Sequence, residues 1–280
     1  MTNIGTLYIV PTPIGNLNDI SQRALDILAS VDLIACEDTR HTSRLLNHYD
    51  ITTKTISLHD HNEAARSGYL VDKIKQGASI ALVSDAGTPL ISDPGYVFVK
   101  ACRSEQINVI ALPGPCALTT ALSGSGLATD KFAFFGFLPV KQQAKSQALS
   151  TLVQKGCTSI FYEAPRRIRD TLAVCAEVFD EHHEIVLAKE ISKTFETYKV
   201  GKASEILEWL DEDPVHQKGE FVLMIHLSKR EQDDEFVPQA IALLVALKKE
   251  LPLKRAAAIV AEHYDVKKNA LYKYALENLN

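Results

Sequence analysis

The densest chemistry in this chain sits in short polar runs that follow apolar stretches: Pro11 to Asn16, Glu37 to Arg40, His59 to His61, Ser84 to Pro89 and Pro113 to Cys116. The fullest case is IALVSDAGTPLISDPG (80–95), an apolar strand running into two acids, two glycines and two prolines. Glycine and proline leave backbone N–H and C=O groups open to a ligand, without bulky side chains in the way. Such a wall suits a polar, zwitterionic and heteroaromatic ligand held largely by backbone. Asp85, at a strand end, is the natural acceptor for its ammonium or hydroxyl group. Asp93-Pro94-Gly95 reads instead as the turn that opens the next helix. His59 and His61 stand two apart, a spacing that fits a metal ligand pair or a hydrogen-bonded loop pair; no metal is expected. Taken singly, each run is as well explained by turn chemistry. Five along one edge of one sheet are not.

The elements that position these runs are legible from periodicity. Thr6–Pro11, Leu33–Cys36, Thr55–Leu58, Ile80–Val83 and Val109–Leu112 read as buried strands. Helices are expected from Asp19 or Ser21 to Ser30, and over 41–49, 62–76 and 96–105. This alternation predicts a mostly parallel sheet covered on both faces, whose strand ends all open on one side, where ligands bind. After Pro113-Gly114-Pro115 the pattern changes. Strands at Phe132–Leu138, Ser159–Glu163, Glu184–Ile191, Thr197–Val200 and Glu220–Leu227 are more aromatic and β-branched, with helices near 141–155, 166–180 and 203–211. The expected architecture is therefore α/β: a first domain over 1–114 with a mostly parallel sheet, and a second over 115–230 with a mixed sheet. A charged connector (Lys229–Glu235) leads to a helical domain over 236–280.

Composition narrows the class. The chain has 280 residues, 46% hydrophobic and 23% charged, with a net charge of −5, so it is not a wholesale polyanion binder. From Ala240 onward, seven Lys/Arg face four Asp/Glu, net +3, leaving about −8 on the rest. A basic helical hairpin on an acidic body suggests a helix-turn-helix that faces nucleic acid; a packing or dimerisation bundle is the other reading. The five cysteines are scattered without a Cys-x-x-Cys pair, which reads as reduced thiols in a cytosolic protein. There is no run long enough to span a bilayer, no secretory signal, no Gly-x-Gly-x-x-Gly after the first strand, no Walker loop and no zinc spacing.

The runs LYIVPTPIGNLNDIS (7–21), ACEDTRHTSRLL (35–46), LVSDAGTPLISDPG (82–95) and ALPGPCALTTALSGSGL (111–127) together resemble the tetrapyrrole-methylase-type, class III S-adenosylmethionine-dependent methyltransferases. FAFFGFLP (132–139), FYEAPRRI (161–168), KEISKTFET (189–197), KGEFVL (218–223) and LPLKRAAAIVAEHYDVKKNALYKYAL (251–276) extend the likeness to the enzymes that 2′-O-methylate a decoding-region cytidine of small-subunit (16S) ribosomal RNA. The resemblance implies a cleft between two α/β domains, S-adenosylmethionine folded into it, and a homodimer that works in the cytoplasm on 16S rRNA within the small ribosomal subunit. It places Pro13, Asp85, Gly87, Thr88, Ile91, Cys116 and Ala117 on one side of the cofactor, and Phe161, Tyr162 and Phe221 on the other. Four positions depart from the family pattern: Ser84 and Ala86, in Ser84-Asp85-Ala86 where Gly-Asp-Pro is usual, Cys116 where serine is usual, and Asp265 where glycine is commoner.

Methyl transfer to a ribose hydroxyl needs that weak nucleophile aligned about 3 Å from the sulfonium methyl, helped by a base or cation. The candidates are Glu37, Asp38 and Arg40 on one strand end and Lys189 and Glu190 on another, with Glu163 also in view. Arg40, Arg166, Arg167, Lys254, Arg255, Lys267, Lys268 and Lys273 are expected to meet RNA phosphates. Surface salt bridging is the other reading of Arg166-Arg167 and Lys189-Glu190. Two competing functions stay open. One is methylation of a tetrapyrrole or a modified protein side chain; the other is a nucleic-acid-binding regulator that senses a nucleoside-like ligand.

Overall fold

The computed structural model describes residues 4–153, 156–180, 182–227, 236 and 238–279. The chain divides into two compact units, Met1–Leu227 and Ser228–Asn280. The connector expected at Lys229–Glu235 lies outside the described residues.

The first unit holds two five-stranded sheets. In the first, β1 (Thr6–Ile9), β2 (Leu33–Cys36), β3 (Thr55–Ser57), β4 (Ile80–Val83) and β5 (Asn108–Ala111) lie in the order β3-β2-β4-β1-β5. Every pairing is parallel. The helices between them, α1 (Gln22–Ser30), α2 (Thr39–His48), α3 (Glu63–Lys75) and α4 (Tyr96–Ser104), follow the expected pattern closely. Two cores result, one on each face: Val10, Leu28, Ile34 and Ala81 on one side, Leu7, Leu70, Leu82 and Phe98 on the other. All four residues of β4 are buried, as a central strand covered on both faces requires.

α5 (Ala117–Ser125) leads into the second sheet, formed by β6 (Phe132–Phe137), β7 (Thr158–Glu163), β8 (His183–Lys189), β9 (Thr197–Gly201) and β10 (Phe221–Leu227). Their order is β6-β7-β10-β8-β9. Only β6–β7 is parallel, so this sheet is mixed. The helices α6 (Gln142–Leu152), α7 (Pro165–Val178) and α8 (Ala203–Glu212) complete the unit. Strand alternation gives the sheet two different faces. Ile160, Val186, Ala188, Val222 and Met224 pack with Leu118 and Leu122 of α5, whereas Phe161, Leu187 and Leu223 pack with Ile168, Leu172 and Ile206 of α7 and α8. β8 stops at Lys189, two residues before the expected Ile191, because Glu190 adopts a left-handed φ of 53° that breaks the extended chain. β6 shifts register between Phe134 and Phe137, with Gly136 at φ 64° in the irregularity.

The second unit packs α9 (Pro238–Lys248), α10 (Leu253–Tyr264) and α11 (Lys268–Asn278) around Ala240, Leu244, Ala256, Val260, Leu271 and Ala275. Asp265 caps α10 in the left-handed conformation at φ 53°, ψ 46°. Aspartate is one of the few non-glycine residues that enter this region at modest cost, so the tight turn survives without glycine.

Candidate active site

A cavity of about 320 Å³ opens at the carboxyl ends of the first sheet and is closed by the second, within the size range of small-ligand sites. Its first wall is the loop after β4. Thr12 and Gly87 exchange both backbone hydrogen bonds at 2.9 Å, pinning this loop to the loop after β1. Gly87 sits at φ 78°, which a side chain would strain. The Thr12 hydroxyl donates to the Ser84 carbonyl at 3.1 Å, and the Thr88 hydroxyl to the Pro115 carbonyl at 2.9 Å. Three strand-end loops are thereby knitted into one rim.

The opposite wall comes from β6, β7, β10 and the loop after β8. Tyr162 accepts the Leu118 N–H on its hydroxyl at 3.0 Å, tying α5 to β7 across the cavity. Burial pushes the Tyr162 phenol well above its usual range, so it stays neutral. Its ring meets Phe134 and Phe137 edge-on, with centroids 4.8 and 5.9 Å away. Ile91 and Ile191 enter from opposite walls. Each is flanked by two left-handed non-glycine residues, Leu90 and Ser92 in one loop, Glu190 and Ser192 in the other. Strained backbone of this kind persists only where its surroundings hold it, and it clusters at ligand sites.

The electrostatics are one-signed. Asp93, Glu163 and Glu220 line the cavity, and among the described residues no lysine or arginine does. Glu163 is fully engaged. Thr171 donates to it at 2.6 Å and the Ala164 N–H at 2.9 Å, while Arg167 Nε lies 3.1 Å away in an ion pair without hydrogen-bond alignment. Behind it, buried Lys145 donates to Thr171 at 2.8 Å, and that burial lowers the lysine's pKa. Glu220 pairs with Lys193 at 2.9 Å. Burial first, then the charge of Glu37, raises the Asp93 carboxyl to about 7, opposed by the Ser84 hydroxyl and reinforced by Asp85 and Asp60. A largely apolar cavity with acidic lining groups favours a cation with a planar apolar part and disfavours a pyrophosphate. A sulfonium bearing an adenosyl group and an ammonium fits that description.

The expected site residues divide. Gly87, Thr88, Ile91, Cys116, Ala117, Tyr162 and Phe221 line the cavity. Pro13 and Asp85 do not; Asp85 turns to accept the Asp38 N–H at 3.1 Å. Phe161 is buried on the far face, stacked on Phe135, because neighbours on a strand point to opposite sides. Lys189 is buried and shares the face of Leu187, toward the helices. Glu190 is held by Lys193 at 2.8 Å and by the Glu220 N–H at 2.9 Å. Burial alone would raise its pKa, yet these partners outweigh it and the net shift is downward. Asp38 and Arg40 form an exposed ion pair at 2.8 Å, and the Arg40 hydrogen bonds hold the Asp38 carboxyl well below its usual range. Glu37 is half-buried and not among the lining residues, its pKa raised by burial and by Asp85 and Asp60. Arg166 is exposed, whereas Arg167 is committed to Glu163 and to the Leu138 carbonyl. Lys254, Arg255, Lys267, Lys268 and Lys273 are all exposed on the second unit. His59 meets Asn62 at 3.0 Å and the His61 ring at 6.0 Å, and no metal-holding group of three side chains occurs among the described residues. Sequence reading missed Asp93 and Phe137 as cavity residues; the signal was present in the SDPG and FFGF runs but read as turn and strand.

Comparison with known proteins agrees with this geometry. The profile of the Tetrapyrrole (Corrin/Porphyrin) Methylases matches residues 6–207, and that of the RsmI C-terminal HTH domain matches residues 234–279. The chain is 55% identical to the Ribosomal RNA small subunit methyltransferase I of Vibrio cholerae, over 98% of this chain and 95% of that one. Its namesake in Escherichia coli O157:H7 is 51% identical over 98% and 95%. The fold is that of the uroporphyrin-III-C-methyltransferase of Thermus thermophilus, with a TM-score of 0.56 at 16% identity, covering 79% of this chain and 94% of that one. A diphthine synthase gives a TM-score of 0.58 at 14% identity over 80% and 90%.

Proposed function

Since the chain belongs to the tetrapyrrole (corrin/porphyrin) methylases, we propose that it is an S-adenosylmethionine-dependent methyltransferase of small-subunit ribosomal RNA. The observation that carries this reading is identity of about half over nearly the full length of relatives named for that activity, C-terminal helical domain included. The finer assignment is the 2′-hydroxyl of a decoding-region cytidine, met by a homodimer on the small subunit in the cytoplasm. No described helix is long and apolar enough to cross a membrane.

S-adenosylmethionine supplies an electrophilic methyl on a sulfonium. The chain's own part is to bind, orient and keep water out. Gly87 and the backbone around it offer close approach, Ile91 and Ile191 clasp a planar group, and the acidic lining favours the positive charges. Arg40 and Arg166, both exposed on the first unit, and the basic residues of α10 and α11 are assigned to RNA phosphates. Arg167 is withdrawn from that set because Glu163 and Leu138 already hold it.

The test is transfer of labelled methyl groups to undermethylated small subunits, with naked rRNA alongside, followed by nucleoside analysis. Label in 2′-O-methylcytidine is the expected outcome. Label in a base, or none in RNA, overturns the finer or the whole reading respectively.

A further inference from the structure

The cavity has an interior and a mouth. Ile191, Phe221 and Val222 line it and are buried, whereas Ala86, Ser92, Phe137, Pro165 and Glu220 line it and are exposed. Among the described residues of that mouth Phe137 alone is aromatic, with 54% of its surface open. Plain alternation along β6 would not put it there. Phe134 pairs with Ile160 on the face that packs on α5, while Phe135 stacks on Phe161 toward the helices. On that period Phe137 would follow Phe135 to the helix side. One extra residue intervenes: three steps along β6, from Phe134 to Phe137, span two along β7, from Ile160 to Tyr162. Gly136 sits in this bulge at φ 64°, a conformation that suits glycine. The bulge therefore turns Phe137 back to the cavity, and re-aiming a side chain beside a functional site is what such bulges do.

The ring is held from two directions. Tyr162 meets it edge-on at 5.9 Å. Arg167 donates to the Leu138 carbonyl and, at 3.4 Å, to the Pro139 carbonyl, while its guanidinium pairs with Glu163 at 3.1 Å. This one side chain joins the residues directly after Phe137 to the end of β7 and the first turn of α7. Two exposed cations stand nearby in the chain: Lys141, four residues beyond Phe137, and Arg166, directly after the lining Pro165.

We propose that the bulged end of β6 is the subsite for the target nucleotide, whose unstacked base lies on Phe137, and that Arg167 is the positioning residue of this platform. This deepens the RNA methyltransferase reading above and rests on it. An enzyme reaches a group within folded RNA by drawing its nucleotide out of the stack, and the freed base then needs an aromatic face in place of its lost neighbours. Phe137 supplies that face at the mouth, so a base resting on it sets its ribose at the entrance to the cavity. Every base has a π face, so Phe137 fixes position and leaves base identity to other contacts. Lys141 and Arg166 meet the flanking phosphates and keep them off the acidic lining.

The experiment compares wild-type protein with Phe137→Leu, Phe137→Trp, Arg167→Lys and the double variant carrying Phe137→Leu and Arg167→Lys. It measures S-adenosylmethionine affinity by calorimetry and steady-state methyl transfer to undermethylated small subunits. Phe137→Leu keeps apolar bulk without the π face and raises KM for the subunit about tenfold, as expected for one lost stacked base. Its kcat and its cofactor affinity stay within about threefold, because the lost contact is made to RNA before and during transfer alike. Phe137→Trp keeps the face and stays within about threefold of wild type in KM. Arg167→Lys leaves a charge for Glu163 but cannot fork to both carbonyls, and raises the same KM about fivefold. The double variant matches Phe137→Leu within about threefold, since no ring is left to position. A Phe137→Leu KM within about threefold of wild type overturns the proposal. So does a loss of cofactor affinity of about tenfold in that variant, which would set the ring against the cofactor. An unchanged KM in Arg167→Lys, or losses that multiply in the double variant, removes the role of Arg167. Wild-type protein that methylates no RNA overturns the underlying reading instead.

Discussion

Asp93 is harder to ionise in the folded chain than in the unfolded one, its pKa rising from 3.8 to about 7 through burial and the nearby charge of Glu37. The folded state therefore holds the proton more tightly, and this group's contribution to stability declines as pH rises from about 4 to about 7. Discounted for its partial exposure, the penalty at neutral pH is on the order of 1 kcal/mol. Asp93→Asn should melt about 2–4 °C above wild type at pH 8, with the difference gone by pH 4, as followed by thermal denaturation without cofactor. A stability gain on neutralising a half-buried carboxylate at a ligand cavity marks a group kept for the site rather than for folding. Glu163 contrasts with it. That carboxylate is also buried at the cavity, but hydrogen bonds from Thr171 and Ala164 and the Arg167 charge satisfy it, so it acts as structure. Nothing in the FYEAPRRI run separates these roles, since they depend on which partner folds against each residue.

At the scale of elements, the loop after β4 does more than any other to form the cavity. It is held by the Thr12–Gly87 bridge, the Ser84 hydroxyl on the Ala86 carbonyl and the Thr88 bond to Pro115. Gly87 is the position where its backbone demands glycine, at φ 78° with Ile14 3.4 Å from any added Cβ. Gly87→Val should cost roughly 1–2 kcal/mol, lowering the melting temperature by about 2–8 °C. Its methyls would also fill the cavity wall, so cofactor affinity by calorimetry should fall at least tenfold. The matching loops around Ile91 and Ile191, one from each sheet, show strain placed symmetrically on either side of the ligand space. Neither sequence run announces this. Left-handed leucine, glutamate and serine carry no compositional mark, unlike Gly87.

At the scale of the molecule, the proposed function sets methyl transfer in the first compact unit and most of the RNA-phosphate contacts in the second. Unit Met1–Leu227 contains the whole cavity and both sheets. A chain ending at 227 should bind S-adenosylmethionine within a few-fold of full length yet lose most methyl transfer to small subunits. Reversing the charges of Lys254, Arg255, Lys267, Lys268 and Lys273 in full-length protein should weaken RNA binding and flatten its salt dependence by about one unit of slope per lost phosphate contact. Filter binding across salt concentrations checks the second expectation, and calorimetry with methyl-transfer assays the first.

Sequence alone determined the alternation of strands and helices, the parallel first sheet, the mixed second sheet and the basic helical end. Apolar periodicity and turn residues act over a few positions and are written locally. It also located the strand-end loops, because glycine and proline reveal where backbone must approach a ligand. Tertiary structure decided which side of a strand each residue faces at the cavity, separating Tyr162 from Phe161 and turning Lys189 inward. It decided as well which charges meet, binding Arg167 to Glu163 and leaving Asp93 without a cationic partner among the described residues. Those outcomes depend on contacts between residues far apart in the chain, where solvent is excluded and neighbouring charges set the protonation of a single carboxyl group.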